Sequence, residues 1–154
     1  MRKKRKKKVR SKMIRFARFE IDEIMPLVGK GLGKVEIRPG LFFNSDSQRL
    51  LVFKYKGINC TSCGLKGTHF WLQKSENESD NSFHMDLYAT NLLGIEVLMT
   101  RDHIIPRCKG GPDTIKNQRP MCLPCNGYLG SLIDSPENEI INIKAEEVKI
   151  ETAI

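Results

Sequence analysis

Two Cys-x-x-Cys pairs, Cys60-Thr-Ser-Cys63 and Cys122-Leu-Pro-Cys125, stand far apart in this 154-residue chain, with residues 64–121 between them. Two residues between thiolates let both sulfurs turn inward from one tight knuckle. Two such knuckles supply the tetrahedral sulfur set that closes a structural zinc site. Gly64, directly behind the first pair, provides the backbone freedom such a knuckle uses. The stretch between the pairs is longer than that of a simple zinc finger, so a whole substructure has to lie there, stapled at its base by the metal. A single pair would also suit a redox-active dithiol, and buried unpaired thiols are the other alternative. Two pairs without a surrounding βαβ pattern favour zinc. Cys108 lies outside both pairs and reads as a lone loop thiol.

An odd cysteine count fits a fully paired disulfide framework badly and fits a reducing compartment well. No apolar run approaches the roughly 20 residues of a membrane-spanning helix. The charged N-terminus is not followed by the apolar region of a secretory signal. The expectation is a soluble, intracellular, single-domain chain with no membrane partner. Its formal charge of +8 is unevenly placed. Residues 1–18 hold 11 cations and no anion, leaving 15 cations against 18 anions for residues 19–154. The run Arg2, Lys3, Lys4, Arg5, Lys6, Lys7, Lys8 is too self-repulsive to pack and is expected to stay disordered until it meets a polyanion such as DNA. The far end turns acidic, with Glu137, Glu139, Glu146, Glu147 and Glu151, and is expected to be peripheral.

Between these ends, residues 13–43 are punctuated by Pro26, Gly29, Gly31, Gly33, Pro39 and Gly40, which predicts short strands and turns; Val35-Glu36-Ile37 alternates as a brief strand does. Ser45, Asp46 or Ser47 is placed to cap a helix over residues 48–56, with Leu50, Leu51, Phe53 and Tyr55 as its apolar side and Gly57 as its stop. Strands are predicted over 69–73, 83–89 and 95–99, with an exposed loop over 74–82. Four segments follow: a basic tail (1–18), an N-terminal strand and helix extension (19–56), a main domain (57–134) and an acidic segment (135–154).

Residues 97–130 read VLMTRDHIIPRCKGGPDTIKNQRPMCLPCNGYLG. Asp102 and His103 end an apolar strand and, as neighbours, point in different directions, so one can hold a metal while the other faces a water. Ile104-Ile105-Pro106 follows, and Gly110-Gly111-Pro112 lets a loop fold back before Asn117 and the second cysteine pair. His69 and His84 sit in no ligand motif and, with Phe70 and Trp71, read as ordinary strand and core residues.

The ordered set Asp102, His103, Ile104, Pro106, Gly110, Gly111, Asn117, Cys122, Cys125 and Asn126 resembles the signature of the HNH endonuclease family, over about residues 57–131 and with a phage-type look. The resemblance implies an α+β chain built on a small ββα-metal core braced by four-cysteine zinc, acting as a metal-dependent DNA endonuclease. It implies that His103 is the general base and Asp102 a ligand of the catalytic ion. Asn126, in a position other members fill with His, would be the second ligand. Asn117 would be the central Asn that bonds the loop backbone and orients the histidine. Two oxygen ligands favour a hard ion, Mg²⁺ or Mn²⁺, for catalysis, distinct from the zinc of Cys60, Cys63, Cys122 and Cys125. A zinc-dependent DNA-binding module that kept the fold and lost the chemistry is the alternative. The sequence departs from the family pattern in lacking a Lys shortly after Asn126, where it reads Gly127-Tyr128-Leu129-Gly130. Arg107, Lys109, Lys116 and Arg119 are the cations placed to contact phosphate instead. Cutting both strands ordinarily calls for two active sites, so a homodimer is one expected assembly, and a bacterial host cytoplasm the expected location.

Overall fold

The computed structural model describes residues 12–78 and 83–133. In chain order its elements are β1 (Met13–Glu20), α1 (Ile21–Ile24), β2 (Lys34–Arg38), β3 (Leu41–Asn44), α2 (Gln48–Lys56), β4 (Gly67–Ser75), β5 (His84–Thr90), β6 (Glu96–His103), β7 (Gln118–Cys122) and α3 (Leu123–Ile133). Strands β1-β4-β5-β6-β7 form one antiparallel sheet in that order, and β2-β3 is a separate hairpin. The expected α+β class holds, and the last three elements form the expected ββα unit: β6 and β7 are a hairpin, and α3 follows β7 without a break. Pro124 falls in the first turn of α3, where its missing N–H has no intrahelical partner to lose.

The predicted tail boundary needs correction. Residues 13–18 were counted with the basic tail, yet they pair with β4 from Met13↔Ser75 to Glu20↔His69. Charge density masked an alternating strand. Arg15 is exposed on the face of the sheet, where its guanidinium pairs with Glu96 at 2.6 Å and lies 4.6 Å from the centre of the Trp71 ring and 5.0 Å from that of Tyr88. Glu96 also accepts from buried His69 Nε2 at 2.7 Å and from Trp71 Nε1 at 2.8 Å. Burial alone would raise this carboxyl. The donors from Trp71, His69 and Arg15 outweigh burial and pull its pKa down to about 2. One carboxylate on β6 thus ties β1 and β4 together, and Trp71, expected in the core, is half-buried as part of this polar cluster. The run Arg2–Lys8 and the acidic segment 135–154 lie outside the described residues.

Helix α2 occupies the predicted span and stops at Gly57, whose φ of 93° favours glycine. Its apolar face differs from the prediction. Leu50, Val52 and Phe53 are buried, whereas Tyr55 is 64% exposed. At about 100° per residue Phe53 returns to the side of Leu50 while Tyr55 swings away. The predicted loop over 74–82 begins later than expected, because β4 runs on to Ser75.

Residues 19–56 do not form a separate layer. Phe19, Ile24, Val28, Phe43, Leu50 and Phe53 share one buried cluster with Phe70, Leu72, Leu87, Met99 and Met121. The β6-β7 hairpin thus shares one core with the N-terminal segment, through Met99 and Met121. Among the described residues, no helix is long and apolar enough to cross a membrane.

Candidate active site

The pairing register of β6 with β7 sets which side chains meet. Asp102 stands opposite Arg119 and His103 opposite Gln118. Directly opposed residues on antiparallel strands bring their Cβ atoms to about 5 Å, so both pairs interact. Arg119 Nε donates to Asp102 Oδ2 at 3.0 Å, and the Gln118 amide nitrogen lies 3.2 Å from His103 Nε2. On α3, Asn126 turns back to β6, where its Nδ2 donates to Thr100 Oγ1 at 2.8 Å. Thr100 in turn donates to the Met121 carbonyl at 2.8 Å. The amide nitrogen of Asn126 is thereby anchored to the strand, and its Oδ1 carries none of these bonds.

Asp102, His103 and Asn126 line one open cavity together with Arg101, Pro106 and Arg107. Three residues that the sequence placed in one site are therefore brought to one wall. Asn117 sits behind the loop, as the motif implied. Its Oδ1 accepts from the Ile105 N–H at 3.0 Å, and its Nδ2 donates to the carbonyls of Ile105 at 3.1 Å and Pro112 at 2.9 Å. A single buried side chain thus clasps both limbs of the 104–117 loop. Gly111 makes the clasp sterically feasible, since a Cβ there would lie 1.8 Å from the Ile105 carbonyl oxygen. Gly110 has a φ of 82°, a conformation that glycine adopts without penalty.

The four cysteines converge as predicted. Cys122 ends β7, Cys125 lies in the first turn of α3, and Cys60 and Cys63 form a knuckle stitched to β7 by Thr61, whose N–H and hydroxyl both donate to the Pro120 carbonyl at 2.9 and 2.8 Å. Their Sγ atoms all lie within 4.8 Å of one another, with Cys63 and Cys122 at 3.8 Å. Tetrahedral zinc with bonds of about 2.3 Å sets its sulfurs about 3.8 Å apart, so the cluster fits that ion. The thiols are electrostatically unequal. Burial raises Cys60, but the N–H groups of Cys63, Cys122 and Ser62 overcome it and lower its pKa to about 6; burial pushes Cys122 far up. His69 and His84 stay outside the cluster: His69 is buried in β4 and His84 pairs with Glu78 at 2.9 Å. Cys108 is an exposed thiol in the loop after Pro106.

Two of the four expected phosphate-contacting cations are engaged within the site. Arg119 pairs with Asp102, and Arg107 NH2 lies 2.7 Å from Asp113 Oδ2. Lys109 and Lys116 are exposed on the loop. The sequence reading missed Asp113, Arg101, Gln118 and Gln48. Arg101 and Gln118 are strand neighbours of named residues in the β6-β7 register, and Asp113 follows the Gly-Gly-Pro turn. Gln48 carries no local signal, since α2 reaches the loop only through the tertiary fold, with Gln48 Nε2 donating to the Asp113 carbonyl at 2.7 Å.

The β6-β7 hairpin and α3 form a ββα unit that carries both the cavity and two of the four clustered cysteines. Residues 95–139 match the family model described as HNH endonuclease. No curated protein and no solved structure matched the chain.

Proposed function

We propose that the protein is a DNA endonuclease that hydrolyses phosphodiester bonds with one divalent ion, Mg²⁺ or Mn²⁺, in a site braced by zinc on Cys60, Cys63, Cys122 and Cys125. The observation that carries this reading is the single cavity lined by Asp102, His103 and Asn126. The donor set suits a hard ion, because Asp102 and Asn126 offer oxygen and the Asn126 amide nitrogen is already committed to Thr100. When bound there, such an ion supplies charge neutralisation at the phosphoryl and leaving oxygens.

The remaining chemistry belongs to side chains. His103 Nε2 lies 3.0 Å from the Asp113 carboxylate, a contact that needs a proton on Nε2 and leaves the lone pair of Nδ1 as the proton acceptor. A water oxygen bonds to phosphorus as its proton passes to Nδ1; the phosphorus bond to the leaving oxygen breaks, and that oxygen takes a proton from solvent. Asn117 keeps the loop closed over the histidine. Arg107, 63% exposed at its side chain, is placed to meet the incoming phosphate backbone.

Purified, zinc-loaded protein is expected to nick supercoiled plasmid when Mg²⁺ or Mn²⁺ is added and not when both are omitted. Metal-independent cutting, or none, would overturn the proposal. The Asp102–Arg119 ion pair at 3.0 Å favours a second reading, a zinc-braced module that binds DNA without cutting it, because it supplies Asp102 with a counter-charge of its own. Retardation of DNA without nicking at any divalent-ion concentration is the outcome that would select it.

A further inference from the structure

Asp113 belongs to none of the motifs that pointed to the site, yet four side chains converge on its carboxylate. Oδ1 accepts from Gln118 Nε2 at 2.6 Å and Arg101 NH1 at 3.2 Å, and lies 3.0 Å from His103 Nε2, while Arg107 NH2 meets Oδ2 at 2.7 Å. Arg101 is itself held by Gln48 Oε1 at 2.8 Å, and Gln48 grips the Asp113 main chain. The carboxylate is thus held from β6, β7 and the loop, while α2 holds its main chain. Hydrogen bonding from His103, helped by the charges of Arg107 and Arg101, holds this carboxyl below the usual carboxylate range.

The crowding around His103 Nε2 determines which ring nitrogen carries the proton. An ionised carboxylate only accepts, so its contact with Nε2 requires a proton there. Gln118 and Arg107 also approach Nε2, at 3.2 and 3.4 Å, but both already have an Asp113 oxygen at shorter range. The Gln118 amide is engaged by the carboxylate, whereas the Arg107 Nε–H points at the ring from the longest of the three distances while its Nη2 meets Asp113. The shortest contact of Nε2, to the Asp113 carboxylate at 3.0 Å, is the one that selects the proton on Nε2 and the lone pair on Nδ1.

We propose that Asp113 is the positioning residue of the site, holding His103 in the Nε2–H tautomer so that Nδ1 is free to accept the proton of the attacking water. The inference rests on the nuclease reading above. It adds a His–Asp pair in which the carboxylate also offsets the positive charge of the ring once Nδ1 has been protonated, the logic of an aspartate behind a catalytic imidazole. The opposing account is that Asp113 merely ties the loop to Arg101 and Arg107.

The test uses the full-length, zinc-loaded chain and its Asp113→Ala, Asp113→Asn and His103→Ala variants. Long-range ¹⁵N–¹H NMR correlations of the imidazoles, of which the chain has 3, are expected to show His103 with its proton on Nε2 and to lose that preference in Asp113→Ala. In plasmid cleavage, kcat of Asp113→Ala is expected to fall about tenfold to a hundredfold with KM for DNA unchanged. Asp113→Asn should fare no better, because its amide can donate to Nε2 and favour the wrong tautomer. Wild-type kcat in Asp113→Ala beside an inactive His103→Ala overturns the proposal alone. So does a wild-type His103 protonated on Nδ1, a result independent of how the variants fold. Equal cutting by His103→Ala and wild type overturns the nuclease reading and this proposal with it.

Discussion

Asn117 and Gly111 show how much of the site depends on single residues that never touch a substrate. Asn117 is 8% exposed and makes three hydrogen bonds through its side chain to the loop backbone. Replacing it by Ala leaves the Ile105 and Pro112 groups without a partner, at a cost of about 1–3 kcal/mol. Thermal unfolding of Asn117→Ala should show that loss, and plasmid cutting should fall with it. Gly111→Ala is expected to be more selective. Its Cβ would overlap the Ile105 carbonyl at 1.8 Å, so the loop must open while the cysteine cluster, on other elements, stays intact. Metal analysis should find unchanged zinc beside strongly reduced cleavage; loss of zinc in this variant would show that loop and knuckle are not independent. At this scale the motif was legible where the chemistry is local: Asp102, His103 and Asn126 share a wall as their order implied. Asp113 was not legible, because the four side chains at its carboxylate come from β6, β7 and the loop, and Gln48, which holds its main chain, lies 65 positions away.

The strands and helices were largely readable from pattern and turn residues. The errors arose where two influences compete in one segment. In β1 the cations concealed the alternation, and Arg15 proves to be a sheet residue paired with Glu96. In α2 the list of apolar residues was a poor guide to facing, as exposed Tyr55 shows. The Glu96 network gives a prediction at this scale. Its carboxyl titrates at about 2 in the folded chain against an ordinary 4.5. A depressed folded pKa contributes stability that is fully present above about pH 4.5 and disappears as the pH falls towards 2. Glu96→Gln should therefore be less stable than wild type at neutral pH, by about 1–3 kcal/mol, with the difference narrowing on acidification. A constant gap across that range in denaturant unfolding would contradict the assignment. The cysteine knuckles join three elements at one point, and metal analysis should find about one zinc per chain. Cys125→Ser, at the start of α3, is expected to lose it and to unfold at lower temperature.

Across the whole molecule the sequence divides the labour by charge. Residues 19–130 balance at 13 cations against 12 anions, so the net positive charge comes from the N-terminal end. Nine of the 11 cations in residues 1–18 precede β1 in the sequence. Deleting residues 2–12 is expected to weaken DNA binding and flatten its dependence on salt, since fewer counterions are released. Cutting should survive at high enzyme concentration. An unchanged salt slope would assign the affinity to the nearly neutral core. The N-terminal third, read from sequence as an extension, shares the core of the ββα unit, a relation that only long-range packing reveals.

In the proposed metal-dependent phosphodiester hydrolysis, His103 is the base. Single-turnover cleavage of supercoiled plasmid in Mg²⁺ by wild type and His103→Ala, at matched zinc content and DNA affinity, tests it most directly. The predicted result is a loss of roughly 10²- to 10⁴-fold in rate for the variant. Cleavage by His103→Ala at the wild-type rate would contradict it.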